Sequence, residues 1–403
     1  MAVTFNPLAF LRSAPNYLLR EYFTRKGLLG HVEWDHLGEY DMEPIFQAIV
    51  ALPEEVQDSV MHDFRDLHAR TRDGGFVKAI LDEATYHKVD TDLAERFERM
   101  KRHLERTFWI FLHRKEQYWD GANIFWRVDK LTGASQWQAR GGLPAQPGPI
   151  DEGVVEDLRH SLINYFSSRE ARGRRCKVEA YRRGDEDIFY AYPEDYKQTV
   201  SEYVGEKLQP RTVQPTFEII FRHNDSQRRL DIHVEGDSVT VGRLQVAFAR
   251  SVLKEDIEET YEDDPPIYVL QPLLSRSFEF RWRADLEIES VRIKGMRLFV
   301  QGGRWRRITI ETDPSGKPKA VYDLLDAVAK VLPKKSLRLD QVVLSVIFRR
   351  GARDRRTPTR TVTITVPHIC RMTSDERGEQ IHRMLEQSGV ERHGTANGAT
   401  EAG

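Results

Sequence analysis

Two cysteines, Cys176 and Cys370, are all that a chain of 403 residues contains, and neither has another cysteine near it. A disulfide framework and a cysteine-based zinc site are both poorly supported, and the two thiols read as buried and inert. No window of about 18 apolar residues occurs, so no membrane-spanning helix is expected. The N-terminal segment lacks the basic region and long apolar run of a signal peptide. A cytoplasmic location without membrane contact follows as the expectation. The common catalytic signatures are missing as well: there is no G-x-x-x-x-G-K-[ST] loop, no G-x-G-x-x-G after a strand, no G-x-S-x-G elbow and no H-E-x-x-H. These absences argue against the usual nucleotide-binding and hydrolase classes. No cofactor and no metal site are expected.

What is present is an uneven distribution of charge. The formal net charge is only −2. Residues 1–150 nevertheless carry 19 basic against 22 acidic side chains, 151–270 carry 17 against 25, 271–366 carry 21 against 10, and 367–403 carry 4 against 6. A near-neutral total hides a block of +11 that would attract a polyanion or an acidic partner surface. Arginine outnumbers lysine 45 to 16. A GC-rich bacterial genome would give that ratio by itself, but the clustering of arginines at the ends of expected hairpins points to phosphate recognition.

The first 115 or so residues read as helices. Ser13 is placed to cap a segment carrying Leu18, Leu19, Tyr22 and Phe23, and 42–50 with 53–70 suggests a helical pair. The stripe Leu93, Phe97, Met100, Leu104, Phe108, Phe111 predicts one long helix. The aromatic stretch 118–140 ends in the Gly/Pro cluster 141–149, a linker candidate. A helix over 154–168 follows. From Cys176 the pattern changes to hairpins at 176–193 and 216–236, then an apolar helical stretch over 241–253 and an acidic boundary over 255–264.

An internal repeat organises the C-terminal part. Leu286, Ile288, Val291 and Ile293 recur 51 residues later as Leu337, Leu339, Val342 and Leu344. Both copies shift their apolar phase at the same place, as one extra residue in a strand would make them do. Each continues into a second strand (307–311; 361–366) and a helix (320–331; 375–386), giving a strand-strand-helix unit twice, and 216–253 has the same order. The expected architecture is α+β: a helical domain 1–140, a linker 141–153, a helix-plus-hairpin domain 154–266, a basic ββα-repeat module 267–390 and a disordered tail 391–403.

Three clusters offer alternative chemistry. His31, Glu33, Asp35 and His36 supply metal-ligand types, yet they fall on different faces of any regular element and read as a solvated turn. His62 and Asp66 lie one helical turn apart, as surface pairs often do. Asp285, Glu287 and Glu289 alternate along a strand with Lys294 nearby, the residue types of a metal-dependent nuclease, but the lysine is out of phase. Tyrosines at 181, 190, 192, 196 and 203, with Phe189, could line a pocket and read more simply as a core edge.

The basic constellation is the better supported site. Arg276, Arg281 and Arg283 flank Phe278, Phe280 and Trp282; Arg304, Arg306 and Arg307 flank Trp305; Arg349, Arg350, Arg353, Arg355, Arg356 and Arg360 crowd the last hairpin loop. Guanidinium groups hold phosphates in bidentate fashion. The aromatic and basic side chains have opposite parity, which favours phosphate contact over base stacking. The sequence therefore points to a non-enzymatic binding protein whose basic module contacts nucleic acid with little sequence preference, while its helical part meets a protein partner. A structural subunit docking on an acidic protein surface is the second reading, and the nuclease the third.

Overall fold

The computed structural model describes residues 5–39, 41–71, 74–88, 92–132, 137–183, 185–236, 238–259, 266–300, 307–350, 357–372 and 376–392. The chain divides into two compact units, 1–129 and 130–403. An α+β architecture results, helical first and then β-rich.

The first unit is built from α1 (Pro7–Ser13), α2 (Asn16–Arg25), α3 (Glu43–Val50), α4 (Glu54–Arg70), α5 (Gly75–His87), α6 (Leu93–Arg99), α7 (His103–His113) and α8 (Lys115–Thr132). Asn6 caps α1 by accepting from the Ala9 amide at 2.9 Å, with Pro7 in the first turn, where its missing donor costs nothing. Ser13 does not cap α2: it closes α1, its hydroxyl donating to the Ala9 carbonyl, and Pro15 precedes α2 instead. An aromatic core forms around Phe64, whose ring centroid lies 4.6 Å from Phe10 and 5.2 Å from Tyr22.

The long apolar stripe from Leu93 to Phe111 is broken into two helices. Met100 and Arg102 are extended, and the Arg106 guanidinium satisfies the freed carbonyls of Phe97 and Met100, both at 2.9 Å. A helix end that finds such donors can stop inside an unbroken apolar pattern.

The second unit begins with β1 (Trp137–Arg140) and α9 (Glu152–Arg169). It continues through β2 (Cys176–Arg183), β3 (Glu186–Pro193), β4 (Gln198–Val204), β5 (Lys207–Val213), β6 (Ile219–Asn224), β7 (Arg229–His233) and α10 (Ser238–Phe248). Five of these strands make an antiparallel sheet in the order β1-β7-β6-β3-β2. Leu158, Leu162 and Phe166 of α9, with Leu244 and Phe248 of α10, share one core with Phe189, Phe221, Leu230 and Ile232 of the sheet. The opposite face is also buried, through Trp137, Ile188, Tyr190, Ile220, Asp231 and His233. The Gly/Pro stretch packs against this sheet: Leu143 enters the core, and Gln146 donates its amide to Asp225 at 2.8 Å. Between β3 and β6 the chain makes a separate two-stranded ribbon, β4–β5, which the sequence reading did not anticipate. Its side chains are almost all exposed, Tyr203 and Leu208 among them.

The remaining strands, β8 (Ile288–Val300), β9 (Arg307–Glu311), β10 (Leu337–Phe348), β11 (Thr359–Thr365) and β12 (Ile369–Arg371), form a second antiparallel sheet in the order β12-β11-β10-β8-β9; α11 (Ala320–Ala329) follows β9 and α12 (Glu376–Gln387) follows β12. Both hairpin-helix units anticipated from the repeat are present.

Their arrangement has two-fold pseudosymmetry. β8 and β10 pair at the centre, and Ile293 is the register partner of Leu344. The 51-residue repeat maps one of these residues onto the other, so the pseudo-dyad passes between them. The two bulges anticipated from the phase shift occur at equivalent places: register breaks at Glu289 in β8 and at Asp340 in β10, again 51 residues apart. A third break, at Lys294, has no counterpart in β10.

Among the described residues no helix is long and apolar enough to cross a membrane.

Candidate nucleic-acid interface

The period of two along a strand divides the second sheet into unlike faces. Ile288, Ile293, Met296 and Leu298 of β8, Leu337, Leu339, Val342, Leu344, Val346 and Phe348 of β10, and Val362 and Ile364 of β11 are buried in a common core with Val321, Tyr322 and Leu325 of α11 and Ile381, Met384 and Leu385 of α12. Both helices therefore cover the same face.

The alternate residues form the other face, and none of them belongs to that core. Register aligns them in rows across the strands. At one end Arg307, Phe299 and Arg338 lie side by side. Next comes a row of Thr309, Arg297, Gln341 and Thr365, then Glu311, Gly295, Val343 and Thr363. Arg292 with Ser345 and Thr361, and Ser290 with Ile347 and Thr359, complete the ladder. These residues are exposed or half-buried, apart from Gly295, which is buried beside Glu311 and Val343. The face is thus rich in arginine and hydroxyl groups, with one aromatic ring among the described residues, Phe299, over which the Arg307 guanidinium sits at 4.6 Å.

Part of this charge is held internally. Arg297 binds Asp340, the residue of the β10 bulge, at 2.6 Å through Nε. Arg292 donates to the Pro314 carbonyl at 2.9 Å, and Lys294 lies 3.7 Å from Glu311. Arg338 is exposed, and no ion pair holds it among the described residues.

The expected arginines distribute as follows. Arg281 and Arg283 are exposed and lie on no strand; their backbone amides donate to Ser388 and Gln387 at the end of α12. The alternation around them holds without strand pairing, because Phe278, Phe280 and Trp282 turn inward against the core and Trp282 donates its indole N–H to Ile288 at 3.1 Å. Arg349 and Arg350 are exposed just past β10, with the Arg349 amide bonded to Glu287 at 2.7 Å. Arg307 opens β9 at the far end of the sheet. Arg360 is the register partner of Val346, which puts it on the helix-covered face and apart from the others. Arg304, Arg306, Arg353, Arg355 and Arg356 lie outside the described residues.

These groups do not converge on one spot. From Ile288 to Phe299 the strand advances about 30–35 Å at roughly 3.3 Å per residue, allowing for the bulges. Arg281, Arg283, Arg349 and Arg350 mark one end of that span, and Arg307 and Arg338 the other. Sequence reading missed Arg292, Arg297 and Arg338, because it followed the density of arginines in loops. The signal was the alternation Thr359, Thr361, Thr363, Thr365 around Val362 and Ile364, which marks one face of the sheet as polar.

The rival clusters are not assembled. Asp35 pairs with Arg20 at 2.6 Å, while Glu33 lies 3.2 Å from His36 on an exposed turn. Asp66 binds Arg70, so it is not the partner of His62. Among the described residues no three of His, Cys, Asp or Glu gather as a metal would require; this includes Asp285, Glu287 and Glu289. The tyrosines are dispersed: Tyr190 is buried and stacked on Tyr192 at 4.7 Å, whereas Tyr203 is 73% exposed on the ribbon.

A buried ionic network lies elsewhere, on the second face of the first sheet. Arg229 is bonded to Asp231 at 2.9 Å and to Glu391 at 2.6 Å. Arg222 joins Asp231 at 3.0 Å, and His382 joins Glu391 at 2.8 Å. Burial pushes the Asp231 carboxyl up, but the two guanidinium groups outweigh it and hold it down at about 2. Glu391 is likewise held at about 2, with His382 and Arg229 overcoming its burial. This network ties the β6–β7 hairpin to residues just after α12, so Glu391, at the start of the expected tail, is part of the fold. Burial, helped by the charge of Arg228 at His223 and of Arg140 and Arg229 at His368, lowers both histidines to about 4, and burial raises Cys176 to about 11. Both cysteines are free thiols, and burial also drives Cys370 upward, which makes either a poor nucleophile.

No protein-family model matches the chain, and no curated protein matches it.

Proposed function

We propose that this chain is a non-enzymatic protein of the cytoplasm that binds nucleic acid through its C-terminal module, contacting phosphates with little sequence preference. The observation that carries this reading is the helix-free face of the second sheet, where solvent-facing arginines stand among threonine, serine and glutamine side chains. Arginine forks and hydroxyl donors suit phosphate oxygens. Sequence readout would require side chains carried into a groove to reach base edges, and the short hydroxyls of a flat sheet do not extend that far. Protein contact is assigned to the helical N-terminal part, where Tyr17, Val50 and Tyr86 are exposed.

The test is anisotropy of a labelled nucleic acid as salt rises from about 50 to about 200 mM. With several phosphates contacted, affinity falls by roughly 10³-fold over that range. Absence of binding at the lowest salt, or binding indifferent to salt, would refute the proposal.

A second reading, a structural subunit of a larger assembly, is favoured by the β4–β5 ribbon. Tyr203 and Leu208 are cross-strand partners on it and are 73% and 60% exposed, a surface that suits another protein better than it suits solvent. Co-purification of a partner that is lost on Tyr203→Ser, with nucleic-acid binding absent, would select this reading.

A further inference from the structure

We infer that the ligand of the open sheet face is a DNA duplex, gripped at both ends of the β8–β10 pair about one helical turn apart; this rests on the phosphate-binding reading above. Two observations carry it. The first is the shortage of stacking surface among the described residues. Proteins that hold single strands use aromatic platforms for the bases, and here Phe278, Phe280, Trp282 and Phe348 are all turned into the helix-covered core. Phe299, the ring on the open face among the described residues, already carries a guanidinium. A duplex presents phosphates outward and keeps its bases stacked, so it asks for the arginines alone.

The second is spacing. The pseudo-dyad between Ile293 and Leu344 sets the β8–β9 and β10–β11 connections at opposite ends of the sheet. Arg307 and Arg338 stand at one end and Arg349 at the other, with Arg297 and Arg292 along β8 between them. The separation of about 30–35 Å is close to the 34–36 Å turn of B-form DNA. Phosphates one turn apart face the same way. The 51-residue repeat relates the strands but not these arginines, since Arg307, Arg338 and Arg349 correspond to Pro358, Glu287 and Leu298, so it is the length of the face that matches one turn of duplex.

The experiment uses the full chain and labelled DNA duplexes of arbitrary sequence at about 6, 12 and 18 base pairs, below and above one turn. Single strands of equal length and an RNA duplex of the longest length complete the set. Affinity is expected to rise at least tenfold between the shortest and the 12-base-pair duplex and little thereafter. The duplex should exceed the matching single strand by about tenfold. Arg307→Gln with Arg338→Gln should reduce the long duplex to the affinity of the short one without lowering the melting temperature.

Single strands bound as tightly as duplex, RNA duplex bound more tightly than DNA, or affinity growing smoothly with length would overturn this inference and leave phosphate binding standing. No binding to any of these ligands would remove the phosphate-binding reading and the inference with it.

Discussion

The two five-stranded sheets of the second unit differ in what they do with their charges. The first is buried on both faces, and the charges on its inner surface are matched: Arg222, Arg229, Asp231, Glu391 and His382 form one bonded network. The second is buried on one face, and its other face leaves Arg307 and Arg338 to solvent. Charge in the buried network of the first sheet acts on stability. Charge in the second adds little to stability, because exposed ion pairs contribute about 0–1 kcal/mol, and it is available for recognition. Density of arginine alone would not separate these roles.

That contrast can be broken most forcefully at Arg229. Replacing it with Met leaves buried Asp231 with Arg222 alone and buried Glu391 with His382 alone, and unfolding free energy should drop by about 3–5 kcal/mol, as read by denaturant titration. A loss below about 1 kcal/mol would mean that the buried network is not an obligate pairing.

A comparable but purely apolar test lies at the pseudo-dyad. Leu344→Ala removes a fully buried side chain from the centre of the second sheet and should cost about 3 kcal/mol. Nucleic-acid affinity of the folded fraction should stay within a few-fold, since Leu344 belongs to the covered face.

Acid sharpens the comparison further. His223 is depressed to about 4 from an unfolded value of about 6.5. The unfolded chain therefore takes up this proton first. Stability is fully present above about pH 6.5 and is lost as pH falls toward 4, by about 3 kcal/mol for this residue. Asp231 and Glu391, both at about 2, add a second loss between about pH 4 and 2. Melting temperatures across that range should show both steps, and His223→Phe should remove about half of the first, with His368, also at about 4, supplying the rest. An unchanged first step would assign it to another group.

How far these features were legible in the sequence depends on the element. The ββα repeat could be read because Leu286, Ile288, Val291 and Ile293 return with the same phase error, and the structure turns that error into bulges at Glu289 and Asp340. The hairpins at 176–193 and 216–236 were visible in their alternation and turn residues. The β4–β5 ribbon was not, because neither of its strands buries an apolar face, and hydrophobic periodicity detects burial rather than backbone pairing. The break at Met100–Arg102 was hidden for the opposite reason: the apolar stripe continues through it, and the donor that ends the helix, Arg106, comes from the next one. The candidate site was half visible. The block of positive charge could be counted, but which arginines share a face depends on register. Register separates Arg360 from Arg338 although both look alike in a charge profile.

The central claim is that the open face of the second sheet, and not basic charge in general, binds nucleic acid. Ser345→Glu places one negative charge in the middle of that face, opposite Arg292 and Thr361. Measured against the same labelled duplex at about 100 mM salt, this variant should bind at least tenfold more weakly than the unaltered chain, with the same melting temperature. Unaltered affinity in the folded variant would contradict the account.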